Sequence, residues 1–355
     1  MTTGNSPCFY RLFLNIHAMK KLILVGLVLL SGACNVREPA LDFRRIPEEK
    51  LSGEIVDIGD SVLAPRQIFD TRDHFVIFDD NKNDHFLKYF SKATGGLDFK
   101  FGIRGNGPNE FIMPRIIPSG EGIGVLALNK FVFLRVEGQE LIKEEKKIRN
   151  REKVTGANCL FFLDDSRVLY TKSSESQFHV LDDRSGRESA VDAYPLPYEN
   201  KYPRYFVNNV VFDAHYSYHE NEDFIFAAYK HVPVVSLIPV PEFQDPLHVY
   251  LNTGDKNEIV RKDNHWIYDD PIYYYTFTDV SSGFCYALFQ HADKSALREN
   301  KQKSEIHVFD FQGKMVRRLG FDIPIYHFAA SGDDTELYAL SLNDDFLPEV
   351  WKYDL

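Results

Sequence analysis

The stretch 69–111, FDTRDHFVIFDDNKNDHFLKYFSKATGGLDFKFGIRGNGPNEF, constrains the fold most, because its order of strands and turns recurs, whole or in part, five more times. FVIFDD and HFLKYF are short runs of β-branched and aromatic residues separated by a polar loop around Asn81, Lys82 and Asn83, and Gly95-Gly96 then turns the chain into LDFKFGI. That is strand, loop, strand, tight turn, strand. The same order returns at 167–194, where RVLYT leads through KSSESQ to FHVLDD, an Arg-Ser-Gly turn and RESAV, and at 285–320, where CYALF leads through a long polar loop to EIHVFD, a Gln-Gly turn and KMVRRLG. FIFAAY at 224–229 and VLALNKFVFLRV at 125–136 keep the strand texture without the full signature.

The C-terminal stretch ELYALSLNDDFLPEVWKYDL matches the first two strands of the unit and stops before the glycine turn and last strand. SGEIVDIG at 52–59 is a lone strand that, placed after Trp351–Leu355, completes the truncated unit. A ring joined by its two ends accounts for both orphans, whereas an open sheet would leave two unpaired edges. About 300 residues at roughly 40–50 per blade give six blades. The expected fold is all-β: a six-bladed β-propeller of four-stranded antiparallel blades, closed by an N-terminal strand in the C-terminal blade.

Composition agrees with one large folded domain: 44% hydrophobic and 26% charged residues are ordinary globular usage, and 29 Phe and 19 Tyr without helix-period stretches favour β-structure. Ahead of it, Met19-Lys20-Lys21, the apolar run LILVGLVLL and Ser31-Gly32-Ala33-Cys34 form a basic n-region, an apolar core and a small-residue cleavage site. The run is too short for a membrane-spanning helix. This places the physiological start at Met19 and makes 1–34 a leader of the lipoprotein type, with Cys34 the lipidated residue and 35–50, with Pro39, Pro47 and mixed charges, a tether to a propeller over 51–355. The expected location is the cell envelope, lipid-anchored on the periplasmic face or the outer-membrane surface. Only Cys159 and Cys285 remain in the folded part, both in apolar strands; free thiols and a disulfide are both open at this point. Without Arg11, Lys20 and Lys21 the chain has 38 Lys and Arg against 52 Asp and Glu, a net charge of −14, which argues against a nucleic-acid partner.

Chemistry-bearing motifs are few. The loop 102–111 holds three glycines and a proline, so its backbone needs positive φ and a fixed turn. Arg104, Asn106 and Glu110 in it are ligand-binding candidates at the channel mouth; the alternative is a connector whose Arg and Glu pair locally. In the aromatic run from Trp266 to Tyr275, strand alternation sets Tyr273 and Tyr275 on one face and Tyr274 on the other, leaving Trp266 and Tyr268 as the residues to meet a ligand. His215 and His219 in HYSYHE share a strand face, as metal ligands with Glu220 or as satisfied side chains. No nucleophile elbow and no phosphate loop are present. No cofactor is expected, and a divalent metal enters only if carboxylates and Asn converge in the channel.

The string FGIRGNGPNEF after a Thr-Gly-Gly turn, HWIYDDPIYYYTFTD, and FDFQGKMVRRLGFDIPIYHFAASGDDTELYALSLNDD resemble the TolB-like six-bladed propeller lipoproteins of Bacteroidetes. The resemblance implies a fold and an export route, and supplies no catalytic residues. In such a ring the loop between the second and third strands of a blade opens at the same end as the connector to the next blade. This end would gather 80–84, 104–110, 172–177, the charged insertion 292–305 with a short helix, and 343–348, and binding residues concentrate on such loops. The functional expectation is a non-catalytic binding or scaffolding lipoprotein that meets an envelope protein or glycan through this face; the alternative is a metal-dependent hydrolase or lyase with its site in the channel.

Overall fold

Six short apolar strand clusters recur along the chain, each able to bury its two faces only against another sheet, and in the computed structural model they do so against one another. The structure describes residues 40–119, 122–128, 130–195 and 202–355; the leader, the start at Met19 and the lipidation residue Cys34 lie outside them. Blade 1 is Pro65–Asp70, His74–Asp79, Leu87–Ser91 and Leu97–Phe101. Blades 2, 3 and 4 begin with Arg115–Ser119, Cys159–Phe162 and Ala214–His219, and each is a four-stranded antiparallel meander. Blade 5 begins with Tyr273–Val280 and blade 6 with Ile325–Ala330. The first strands of blades 4, 5, 6 and 1 pack side by side, so the first strand of a blade is the innermost.

The core is divided into six slabs, one for each interface between neighbouring blades. The slab that closes the ring sets Ile68, Phe75, Ile77 and Phe90 of blade 1 against Ala329, Tyr338, Leu340 and Val350 of blade 6. Closure follows the expected route: Glu54–Val56 pairs antiparallel with Pro348–Asp354, with Ile55 opposite Trp351, and becomes the fourth strand of blade 6. A buried Lys88 in blade 1 secures the connector behind that strand. Its ammonium meets the carboxylate of Asp79, which accepts from the Ala64 N–H at 2.8 Å, and the Ser61 carbonyl.

The segment expected as a tether is, from Leu41 onward, part of the fold. Leu41 donates to the Tyr250 carbonyl at 2.6 Å and its own carbonyl accepts from Asn252 at 2.9 Å. Phe43 is buried beside Phe289, with ring centroids 5.3 Å apart. Glu48–Leu51 then adds a fifth strand to blade 5, parallel to Met315–Phe321. Its sequence, EEKL, has no apolar alternation to announce a strand. Charge holds it instead: Glu49 pairs with Arg317 at 2.7 Å and Glu48 with Lys303 at 2.7 Å.

Two further elements went unread in the sequence. A hairpin, Glu258–Lys262 with His265–Asp269, is inserted between blades 4 and 5, and two residue pairs in the loop 102–111, Ile103–Arg104 and Glu110–Phe111, form a short parallel bridge. The charged insertion does contain a short helix, Lys294–Arg298, capped by Asp293, whose carboxylate accepts from the Ala296 N–H at 2.8 Å. Cys159 and Cys285 are both free.

Candidate functional site

Because strands alternate in direction within each blade, the loops between second and third strands and the connectors between blades open at one end of the ring, here the connector end. The loop 102–111 is built there as a brace. Gly102 has φ +78°, and a Cβ on it would lie 2.1 Å from the Phe86 ring. Arg104 Nη2 donates to Asp80 at 2.9 Å and Nη1 to the Asn81 carbonyl at 3.1 Å, while its guanidinium lies over Phe78 and Phe86. Glu110 accepts from the Gly107 N–H at 2.7 Å. Phe111 is buried against Phe86 and Phe101, with Lys130 4.2 Å over its ring and donating to the Pro108 carbonyl at 2.9 Å. Arg104 and Glu110 are therefore turned onto the loop and its own blade, and of the three candidates Asn106 alone is exposed.

Trp266 and Tyr268 do not stand free either. Both lie on the inserted hairpin and pack on the slab between blades 3 and 4, Trp266 edge-on to Tyr202 at 4.9 Å and Tyr268 against His231 at 4.9 Å. The expected split of the tyrosine run fails for a local reason: the register between the first two strands of blade 5 slips twice, at Tyr273/Tyr275 and Tyr275/Phe277. Tyr274 and Tyr275 are consequently both fully buried, donating to Asp255 at 3.1 Å and meeting His307 at 3.1 Å.

The two ends of the ring differ in the apolar side chains they expose. Among the described residues ten large apolar side chains are exposed, and eight of them, Leu63, Ile103, Met113, Leu128, Tyr205, Ile267, Phe346 and Leu347, belong to the segments that join blades or strands at the connector end, Ile267 on the inserted hairpin and Tyr205 on a short helix. The other two, Ile55 and Leu247, are on outermost strands. A shallow depression between blades 2 and 3 is bordered by Met113, Leu128, Arg115 and Arg151, and Arg149 and Glu152 lie beside it. Acids are exposed at both ends: Asp164, Asp165, Glu220, Glu222, Glu242 and Asp333 at the opposite one, and Asp57, Asp60, Glu175, Asp344 and Asp345 at the connector end. No sequence pattern marks the apolar set, because its eight members come from six separate segments.

Inside the ring, side chains of the innermost strands satisfy the open edges of their neighbours. Ser217 meets Thr278 at 2.9 Å, Asp279 accepts from the Ala330 N–H at 2.9 Å, and His327 Nδ1 accepts from the Ile68 N–H at 3.2 Å. That bond leaves the ring proton of neutral His327 on Nε2, which is buried without a protein partner. Burial, with His215 adding to it, pushes His327 down to about 3; burial likewise pushes His215 down to about 4, with Lys230 acting in the same direction. Burial pushes Asp279 up to about 7 and Asp70 up to about 6, the latter against the pull of Lys92 at 2.5 Å. His219 goes elsewhere, stacking on Phe224 and accepting from the Glu222 N–H at 3.1 Å. Among the described residues no three His, Cys, Asp or Glu side chains converge as a metal site would require.

A family model described as TolB-like 6-blade propeller-like matches residues 61–333. The chain belongs to the TolB-like propeller family. The match spans the connector loop and all six innermost strands, and leaves out the two N-terminal strands that the TolB-like ring uses to extend blade 5 and close blade 6. No curated protein matches the chain. Among solved structures it is similar to a member of the DUF4221 family from Bacteroides vulgatus, at 12% identity over 87% of this chain and 97% of that one, with a TM-score of 0.58. A protein of Bacteroides fragilis inferred to be exported aligns at 11% identity over 85% and 94%, TM-score 0.49. The β-propeller domain of Cps50 (Swd1) from Myceliophteria thermophila aligns at 8% over 86% and 100%, TM-score 0.46. At 12% identity the likeness to the DUF4221 member is one of fold alone.

Proposed function

We propose that this TolB-like chain is a non-catalytic, lipid-anchored binding protein of the cell envelope that meets its partner through the connector end of the ring. The observation that carries this reading is the collection at that end of eight of the ten large apolar side chains that the described residues expose. Apolar side chains gathered on one end of a folded domain suit an interaction surface better than the same number spread over both ends. Apolar side chains flanked by Arg149, Arg151 and Glu152 suit an amphipathic partner better than a glycan. The lipid anchor is read from the leader ending at Cys34.

The test is site-specific photocrosslinking in cells that make the full chain. A benzophenone residue replaces Leu128 or Phe346 at the connector end, and Asp165 or Thr335 at the other. Adducts, to protein or to lipid, are expected from the first pair only. Equal labelling from both ends, or none from the first pair, would sink the reading.

A further inference from the structure

Two sites on the connector end carry opposite charge and the same kind of apolar display. The first is the connector that follows Glu140–Glu145 of blade 2. Residues 146–153, KKIRNREK, hold Lys146, Lys147, Arg149, Arg151 and Lys153 against Glu152 alone, a net charge of +4 in a chain of net −11. The Asp183 carboxylate pins this backbone, accepting from the N–H groups of Arg149 and Asn150, each at 2.8 Å. Met113 and Leu128, 69% and 42% exposed, border the depression beside it. The second site is the loop between Glu336–Leu342 and Pro348–Asp354 of blade 6, where Asp344, Asp345, Phe346 and Leu347 are consecutive and all exposed. Asn343 Oδ1 pins that loop, accepting from the N–H groups of Asp345 and Leu347, each at 3.0 Å.

Met113 at φ +50° and Phe346 at φ +59° stand in a backbone conformation that large side chains rarely adopt, and both are left in water by it. Among the described residues none of Lys147, Arg149, Asp344 and Asp345 forms an ion pair. Each site therefore holds, on a fixed backbone, unpaired charge of the sign that the other lacks. Both lie on one end of one chain. A two-fold axis across that end sets each site of one copy against the opposite site of a second copy, so one rotation makes both contacts.

We propose that two copies of this chain associate through their connector ends, with Asp344, Asp345 and Phe346 of one copy against Lys147, Arg149, Met113 and Leu128 of the other. This deepens the reading above, and rests on its choice of the connector end as the binding end. The test uses the full chain made in cells, two differently tagged copies together, with benzophenone in place of Leu128. The expected adduct has twice the mass of the chain, carries both tags, and maps by peptide mass spectrometry to residues 343–348 of the second copy. Lys147→Glu with Arg149→Glu should lower its yield at least about tenfold, and so should Asp344→Lys with Asp345→Lys. A chain with all four reversals regains opposite charges across the contact and should recover most of the parental yield. Without any variant, the purified full chain in detergent should sediment as a dimer whose dissociation constant is at least about tenfold weaker at about 0.5 M salt than at about 0.05 M.

A monomer at both salt concentrations overturns the inference. So does an adduct whose yield ignores both pairs of reversals, or one that the four reversals together fail to recover. Adducts to lipid, to another protein or to a different segment of a second copy also overturn it, and leave the connector end standing as the binding end. No adduct from benzophenone at Leu128 or at Phe346 overturns the inference and the reading it rests on together.

Discussion

At the scale of single residues the inner ring offers the sharpest handles. Burial raises Asp279 from its ordinary range to about 7, so between about pH 4 and pH 7 the folded chain holds a proton that the unfolded chain has released. The stability this group contributes is full below about pH 4 and is lost as pH rises through about 7. In Asp279→Asn the amide oxygen can still accept from Ala330 N–H, and the titration is gone. Its stability relative to the parent should rise by ~1–3 kcal/mol from pH 5 to pH 8, read by urea denaturation at each pH. His215 and His327 act in the opposite sense: their stabilising contribution is present above about 6.5 and falls away toward pH 4 and below. In the connector loop, Gly102→Ala should cost ~2–4 kcal/mol, since it combines φ +78° with a collision against Phe86. Arg104→Ala should cost ~1–3 kcal/mol in the same assay without altering the labelling pattern of the connector end. The string holding Arg104 and Glu110 was legible as special, and its role was not. Arg104's partners, Phe78, Asp80, Asn81 and Phe86, lie outside the string, and residues able to grip a ligand are equally able to grip a loop.

Elements with a strong apolar pattern could be read directly. FVIFDD, FHVLDD and EIHVFD all fall in strands of their blades, and SGEIVDIG supplies the closing strand. Elements whose partners are charges or insertions could not, since EEKL at 48–51 is a strand only because Arg317, Arg318 and Lys303 face it. The tyrosine run shows a third limit: alternation assigns faces only while the register holds, and blade 5 slips twice within it. The Lys88–Asp79 pair belongs to this scale, because it ties a connector to a blade. Lys88→Met should strand the Asp79 carboxylate in the interior and cost ~3–5 kcal/mol by chemical denaturation. Lys88→Met with Asp79→Leu should recover part of that loss and still be weaker than the parent, because the Leu63 and Ala64 N–H groups would lose their acceptor.

For the whole molecule, the number of blades and the manner of closure were legible, because a repeat that stops one strand short at one end and starts one strand early at the other has few ways to close. The asymmetry between the two ends was not, since it is made of solitary residues such as Leu63, Met113 and Phe346 that only the ring brings to one side. Removing residues 1–56 should leave Pro348–Asp354 as an open edge and abolish the single cooperative transition in thermal unfolding followed by far-ultraviolet circular dichroism, with aggregation in its place. Closure by the N-terminal strand also sets a timetable. Residues 48–56 are among the first of the domain to be synthesised, and their partners in blades 5 and 6 arrive about 270–300 residues later. Until the last strand exists Glu54–Val56 has nothing to pair with, so the ring cannot lock while the chain is still being made. The delay is written into the order of its strands.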